Sequence, residues 1–145
     1  MKIAIGNDHT GVAMKNDIVT YLTNNGYEVI NIGTNDGQAA DYPNFGHQVG
    51  QTVANGVADL GIVICGTGIG ISIAANKVPG VRAALCYETT TAQLAREHNN
   101  ANVLALGARL IANQKAIWIV EAFLKANFDE GRHARRVNQI EDITC

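Results

Sequence analysis

Short apolar runs that favour β-strands alternate with helix-type patterns along the whole chain, and this alternation restricts the possible folds more than any other feature. The clearest strand signal is Leu60–Ile64, a run without a polar side chain. A helix-type pattern is present where Met14, Ile18 and Leu22 recur every four residues. Strands separated by helices form parallel sheets whose two faces are both covered. The sequence therefore predicts an α/β fold with three layers, a five-stranded parallel sheet and helices on both of its faces.

The predicted strands are Lys2–Ile5, Tyr27–Ile32, Leu60–Ile64, Val81–Cys86 and Asn102–Leu106. The first predicted helix stops at Gly26, and the second begins at Pro43 and ends at Gly56. The later predicted helices are Ile69–Asn76, Thr90–Glu97, Gln114–Asn127 and a charged helix over Gly131–Ile143. No linker, low-complexity run or repeat interrupts the pattern, so residues 1–145 are predicted to form one domain.

Charge and hydropathy exclude several classes of partner. The formal net charge of −2 removes the usual electrostatic argument for binding nucleic acid or an anionic membrane. No apolar run approaches the roughly 20 residues that span a bilayer, and residues 1–6 enter a strand pattern rather than a signal peptide. The cytoplasm is therefore the expected compartment. The three cysteines, Cys65, Cys86 and Cys145, form no CxxC pair, so neither a disulfide framework nor a metal site is predicted.

The predicted sheet indicates where a binding site should lie. Ligands of open parallel sheets bind beyond the carboxyl ends of the strands. Polar or glycine residues follow four of the predicted strands at this edge: Asp8 and His9, Cys65 to Gly70, Tyr87 and Glu88, and Gly107 to Arg109. Such loops are polar in many proteins without a role in function, so position alone does not assign a role to any one of these residues.

The loop Cys65–Gly70 carries a thiol and a glycine at every second following position. Glycine lets the backbone approach a ligand closely and turn its amides toward it. The spacing is not that of a dinucleotide-binding loop, because Ile71 stands where the third glycine is needed, and no Gly-Lys-Ser/Thr sequence follows. The loop is therefore expected to bind an anion smaller than a nucleotide. A thiol beside such amides suits carbanion or acyl chemistry.

Six short motifs, in order along the chain, extend this interpretation. They are Gly6-Asn7-Asp8-His9, Asp41-Tyr42-Pro43, Ile64 to Gly70, Ala74-Ala75-Asn76-Lys77, Glu97 to Asn102, and Gly131 to Val137. Together they closely resemble the ribose-5-phosphate isomerase B family of sugar-phosphate isomerases, essentially end to end. The resemblance implies a Rossmann-like sheet, and homodimers or homotetramers with active sites at the subunit interface. It also implies interconversion of ribose 5-phosphate and ribulose 5-phosphate without a metal or another cofactor.

Two alternatives remain open. One is an isomerase of another phosphosugar, such as allose 6-phosphate, galactose 6-phosphate or a tetrulose phosphate. The other is a non-catalytic subunit that only binds a sugar phosphate. Such a subunit would not need a base, and the presence of Cys65 argues against it.

The resemblance names Cys65 as the base that moves the proton in this isomerisation. A helix N-terminus and neighbouring amides favour the thiolate form of a cysteine. The amides of Gly66, Gly68 and Gly70 are expected to hold the enediolate, and the Thr67 hydroxyl to join them. The simpler alternative for Cys65 is a buried cysteine that acts as a small apolar side chain.

Ring opening and phosphate binding need further residues. The resemblance implies that His98 opens the sugar ring with help from Asp8, although a histidine near a helix end also caps carbonyl groups. It implies that Asn99 donates to the enediolate and that Tyr42 contacts sugar hydroxyls. Four side chains are expected to hold the phosphate: His9, Arg109, Arg132 and Arg136. The last two are four residues apart, and thus share one helix face, which is elsewhere often only solvated.

Overall fold

The computed structural model describes residues 1–143, so Cys145 lies outside the described residues. Within this range the strands are β1 Lys2–Asn7, β2 Glu28–Asn31, β3 Leu60–Cys65, β4 Ala83–Leu85 and β5 Val103–Gly107. The helices are α1 Val12–Asn24, α2 Tyr42–Ala54, α3 Ile69–Asn76, α4 Thr89–Asn99, α5 Asn113–Lys125 and α6 Arg132–Glu141, and a 3-10 turn over His9–Gly11 precedes α1. None of these helices is long and apolar enough to cross a membrane.

The strands form one parallel sheet in the spatial order β2-β1-β3-β5-β4. The central strand β3 is buried at every position, as expected for a strand covered on both faces. It pairs with β5 from Gly61 opposite Val103 to Cys65 opposite Gly107. The predicted α/β class and the five-stranded parallel sheet are confirmed.

The two faces of the sheet carry separate apolar cores, because successive strand residues point to opposite sides. Ile62 and Ile64 belong to one core together with residues of α1, α4 and α5. Val63 and Cys65 belong to the other, together with residues of α2 and α3. The three predicted layers are present, and Cys65 lies on the face covered by α2 and α3.

The strand order reverses between β1 and β3, and this reversal opens a crevice at the carboxyl edge of the sheet. Asp8 directly follows β1, and its amide donates to the carbonyl of Ile64 in β3 (3.1 Å). Cys65 is the last residue of β3. Both residues therefore border the position where ligands bind in sheets of this type.

Element boundaries differ from the predictions mainly at the sheet edge and near the C-terminus. The edge strand β4 begins two residues after the predicted start, because the amide of Val81 donates to the carbonyl of Val78 in a turn. The side chain of Asn76 caps the open side of β4 through two hydrogen bonds with Ala83. Helix α4 extends two residues beyond the predicted end and includes His98. The last helix begins one residue after the predicted start and ends two residues earlier, at Glu141.

Candidate active site

Cys65 ends β3 with its side chain in a loop that folds back over it. The exposed fraction of Cys65 is 4%. The amide of Gly68 donates to its Sγ, with the nitrogen 3.2 Å from the sulfur. Helix α3 begins at Ile69, the residue after Gly68, so the sulfur lies beside a helix N-terminus. Both features stabilise negative charge on sulfur.

Two glycines allow the loop to pack as closely as it does. Gly68 has φ +77°, and a Cβ there would approach Leu85 Cδ1 to 2.5 Å and the backbone of Leu106 to 2.8 Å. A Cβ on Gly70 would lie 2.5 Å from the ring of Tyr42. The loop is therefore pressed between the ends of β4 and β5 on one side and the aromatic ring at the start of α2 on the other.

Two backbone amides of this loop already have acceptors within the loop. Besides the Gly68 amide, that of Ile69 is used internally and donates to the Thr67 hydroxyl (3.2 Å). The Thr67 side chain, exposed to solvent, thus already accepts a hydrogen bond at the start of α3. The Gly68 amide faces the sulfur, although the sequence predicts that it holds the enediolate.

Asp8 and His9 lie across the crevice from Cys65, and both are held by backbone groups. Asp8 is 5% exposed, and its Oδ1 accepts from the amide and the hydroxyl of Thr10 (2.9 and 2.5 Å). The amide of Ala40 donates to His9 Nδ1 (3.2 Å). Because Nδ1 accepts, a neutral His9 carries its proton on Nε2. His9 therefore offers a hydrogen-bond donor, as a phosphate contact requires.

A fully buried lysine, which the sequence analysis did not single out, anchors the loop of residues 32–41 that leads to Ala40 and Tyr42. Lys15 Nζ donates to the carbonyl of Thr34 (2.5 Å) and to Asn35 Oδ1 (2.6 Å). Burial lowers the pKa of this lysine. Its only sequence signal is that it lies on the apolar face of α1, three residues before Ile18.

Arg109 and Tyr87 complete the polar groups at this edge. The amide of Arg109 donates to the carbonyl of Gly66 (3.0 Å), and its side chain lies close beside that glycine. The hydroxyl of Tyr87 donates to the carbonyl of Thr67 (2.6 Å). Tyr87 follows the fourth predicted strand, and no role is predicted for it from the sequence.

A second polar cluster lies where α4 meets α6. The rings of His98 and His133 are stacked, with centroids 4.3 Å apart and planes inclined by 6°. His98 Nε2 is 4.0 Å from Asp129 Oδ2. Desolvation, and then the charges of His98 and Arg132, lower the pKa of His133. No role is predicted from the sequence for Asp129 or His133.

The remaining predicted residues belong to this second cluster. Arg132 and Arg136 are exposed and lie one turn apart on α6, and both charges act on His133. The exposed Asn99 follows His98, and its carbonyl accepts from Arg82 Nε (3.2 Å). One face of α6 thus carries two guanidinium groups whose charges act on His133, the ring that stacks on His98.

The two clusters lie at opposite edges of the sheet within one chain. Cys65 ends β3, whereas His98 is in the last turn of α4, which leads into the first residue of β5. The five-residue strand β5 separates these edges by roughly 15 Å. The predicted partner of His98, Asp8, is at the Cys65 edge. A single chain therefore does not bring His98 and Asp8 together.

His98, Asp129 and His133 place potential metal-binding atoms within 4.8 Å of one another. A metal ion lies in the plane of each imidazole that binds it, along the nitrogen lone pair. Two stacked and nearly parallel rings do not share such a position. The arrangement of these three side chains therefore does not fit a metal site.

Comparisons with known proteins match nearly the whole chain. The family model described as Ribose/Galactose Isomerase matches residues 3–140. Ribose-5-phosphate isomerase B of Escherichia coli is 50% identical over 142 residues, which cover 98% of this chain and 95% of the relative. A Clostridium thermocellum ribose-5-phosphate isomerase B structure superposes with a TM-score of 0.97 at 54% identity, covering 99% and 97% of the two chains.

A third relative bears on the ligand. The crystal structure of ribose-5-phosphate isomerase B from Mycoplasma genitalium contains bound ribulose-5-phosphate. It superposes with a TM-score of 0.92 at 47% identity, covering 97% of this chain and 93% of that one. Sequence similarity at this level and over this length is found among members of one family. The chain belongs to the ribose/galactose isomerase family.

Proposed function

We propose that this chain interconverts ribose 5-phosphate and ribulose 5-phosphate, with Cys65 as the base that transfers the proton. The observation that carries the proposal is the Cys65 sulfur, which accepts an amide hydrogen bond beside a helix N-terminus at the crevice between β1 and β3. An aldose–ketose isomerisation needs one base that removes a proton from one carbon and returns it to the next. Relatives that carry this activity in their names support the substrate.

Cys65 carries out both carbon proton transfers of the proposed reaction. The thiolate takes the proton from C2 of the open-chain aldose, and the electrons of that bond form the enediolate. The hydroxyl proton on the C2 oxygen moves to the C1 oxygen, and the thiol, whose hydrogen exchanges with solvent, returns a proton to C1, so that the C2 oxygen becomes the carbonyl of the ketose. Backbone amides of the loop after Cys65 stabilise the negative oxygen between the two steps.

His98 acts before this step, by opening the sugar ring. An imidazole both accepts and donates protons near neutral pH, which is what moving the ring hydroxyl proton requires. The hydrogen bond from Ala40 leaves the Nε2 proton of His9 for the phosphate, and the guanidinium groups of Arg109, Arg132 and Arg136 match phosphate oxygens. Tyr42 and Asn99 then face the sugar hydroxyls and the enediolate.

The active site combines residues of two copies of the chain. Cys65 and Asp8 lie at one edge of the sheet, and His98 with the α6 arginines at the other, so one chain supplies each half. The exposed Ile69 and Ile73, one turn apart on α3, offer apolar surface next to the Cys65 loop for a second copy. A homodimer is the smallest such assembly, and a homotetramer also satisfies it. Location in the cytoplasm stays a prediction.

A comparison of kcat/KM across pentose and hexose phosphates tests the substrate. Ribose 5-phosphate is expected to be used best, with allose 6-phosphate and galactose 6-phosphate far behind. A higher kcat/KM for a hexose phosphate or a tetrulose phosphate contradicts the pentose assignment and favours the second isomerase alternative. Binding of these compounds without turnover favours a non-catalytic subunit.

A further inference from the structure

Tyr87 lies two residues after the end of the edge strand β4, outside the set of side chains that the proposed reaction uses. It is half-buried, and its hydroxyl donates to the carbonyl of Thr67 over 2.6 Å. That carbonyl belongs to the peptide group joining Thr67 to Gly68. The N–H of this same peptide group donates to Cys65 Sγ. Tyr87 and Cys65 are thus bound to the two ends of one peptide unit.

The geometry of a trans peptide makes these two hydrogen bonds dependent on each other. No cis peptide bond is present in the described chain, so the C=O and N–H of this unit point in opposite directions. Fixing the carbonyl toward Tyr87 therefore fixes the amide toward the sulfur. Donation to the carbonyl also polarises the peptide, which strengthens the hydrogen bond that its N–H donates.

The backbone by itself does not determine this orientation. A flip of the peptide changes mainly ψ of Thr67 and φ of Gly68, and glycine accepts either sign of φ at little cost. Gly68 has φ +77° in the structure. A flipped peptide would direct its carbonyl oxygen, rather than its N–H, toward Cys65, which disfavours a thiolate. An additional contact is needed to select the observed orientation.

We infer that Tyr87 is a positioning residue for Cys65: its hydroxyl holds the peptide between Thr67 and Gly68 so that the amide stabilises the thiolate. This inference rests on the proposed role of Cys65 as the base. The sequence does not indicate this role, because Tyr87 is 20 residues after Thr67 in the chain. Tyr87 itself does not touch the sulfur and transfers no proton.

Removal of one hydroxyl tests the inference. The ultraviolet absorbance of the Cys65 thiolate is measured as a function of pH. For each variant, the absorbance of the same variant with Cys65→Ala added is subtracted, so that only the Cys65 signal remains. In Tyr87→Phe, the midpoint of this titration is expected to rise by about half a pH unit, with kcat falling about fivefold and KM staying within about twofold. Tyr27→Phe, which also removes a hydroxyl from a half-buried ring, is the matched control and should leave all three quantities unchanged.

Other charged or titratable groups that neighbour the loop stay in place in this variant: Asp8 after β1, Arg109 after β5, Tyr42 at the start of α2, and Glu88 paired with Lys115. A midpoint equal to that of the wild type overturns the inference, whatever happens to kcat. The titration needs no turnover. If Tyr87→Phe shifts the titration midpoint but the wild-type protein isomerises no phosphosugar, the proposed function is refuted, whereas the hydrogen-bond path from Tyr87 to Cys65 is supported.

Discussion

The position of Cys65 at the end of a strand places its sulfur beside a backbone amide that favours the thiolate. As the last residue of β3 it is buried with the core that α2 and α3 cover, yet its sulfur meets the amide of the loop that follows. A cysteine that acts only as a small apolar side chain gains nothing from such a contact, because a neutral sulfur is a weak acceptor. The contact favours the interpretation of Cys65 as a base.

Cys65→Ala is expected to lower kcat about 10²- to 10⁴-fold, the usual contribution of a positioned base. Binding of ribose 5-phosphate should be nearly unchanged, because the phosphate contacts lie on other residues. Incorporation of solvent deuterium at C2, followed by NMR, measures the proton transfer directly, and calorimetry measures binding. Full deuterium exchange in the variant would remove Cys65 from the mechanism.

His98→Asn is expected to slow turnover of ring-closed substrates about 10²-fold, because the ring then opens without a proton shuttle. An open-chain substrate such as erythrose 4-phosphate bypasses this step and should lose much less. Paired kcat/KM measurements on the two substrate types separate the roles. An equal loss on both would place His98 in a later step than ring opening.

His133 is expected to make the free energy of unfolding depend on pH. The folded chain lowers the pKa of His133 from its ordinary value of 6.5, so the folded state favours the neutral ring. Below that value the unfolded chain binds the extra proton first, and the free energy of unfolding falls as the pH falls. Urea unfolding at pH 5.5 and 7.5 should show a smaller loss on acidification in His133→Asn than in the wild type. His47→Asn, at an exposed histidine of α2, should behave as the wild type does.

At the scale of elements, the junction between β3 and α3 depends on the space around Gly68. Gly68→Ala introduces strain at positive φ, about 1–2 kcal/mol, and adds overlap with Leu85 and Leu106 of about 1–3 kcal/mol. Gly80→Ala is the matched control, because Gly80 has φ +81° with no atom within 4 Å of its Cβ position. The difference between the two in free energy of unfolding isolates the packing cost. Equal destabilisation would mean that the loop has room to move aside.

For the whole molecule, the opposite positions of Cys65 and His98 predict that inactive variants complement each other. In a mixed dimer of Cys65→Ala with His98→Asn, one of the two shared sites has both residues intact. The purified mixed dimer should therefore show roughly one half of wild-type activity. The two variants are co-expressed with different tags, and the doubly tagged dimer is purified and assayed on ribose 5-phosphate. No recovery in that dimer would mean that each chain carries a complete site of its own.

Much of the architecture is readable from the sequence because it depends on local patterns. The apolar run of β3 and the helix-type spacing in α1 are sufficient for a parallel sheet covered on both faces. The edge strand β4 is the least accurate prediction. Its start follows a turn in which the Val81 amide donates to the Val78 carbonyl, and the side chain of Asn76, seven residues before Ala83, caps its open side. Side-chain contacts of this kind leave no periodic signal.

The fold class, the glycine loop after a thiol, and the residues that match one family can all be predicted from the sequence, because they depend on residue type and short-range order. How those residues are grouped depends on the tertiary structure. It put Cys65 and His98 at opposite edges of the sheet, since α4 runs antiparallel to the strands that flank it. It also joined Tyr87 to the sulfur through one peptide, a contact between residues distant in the chain that spacing does not reveal.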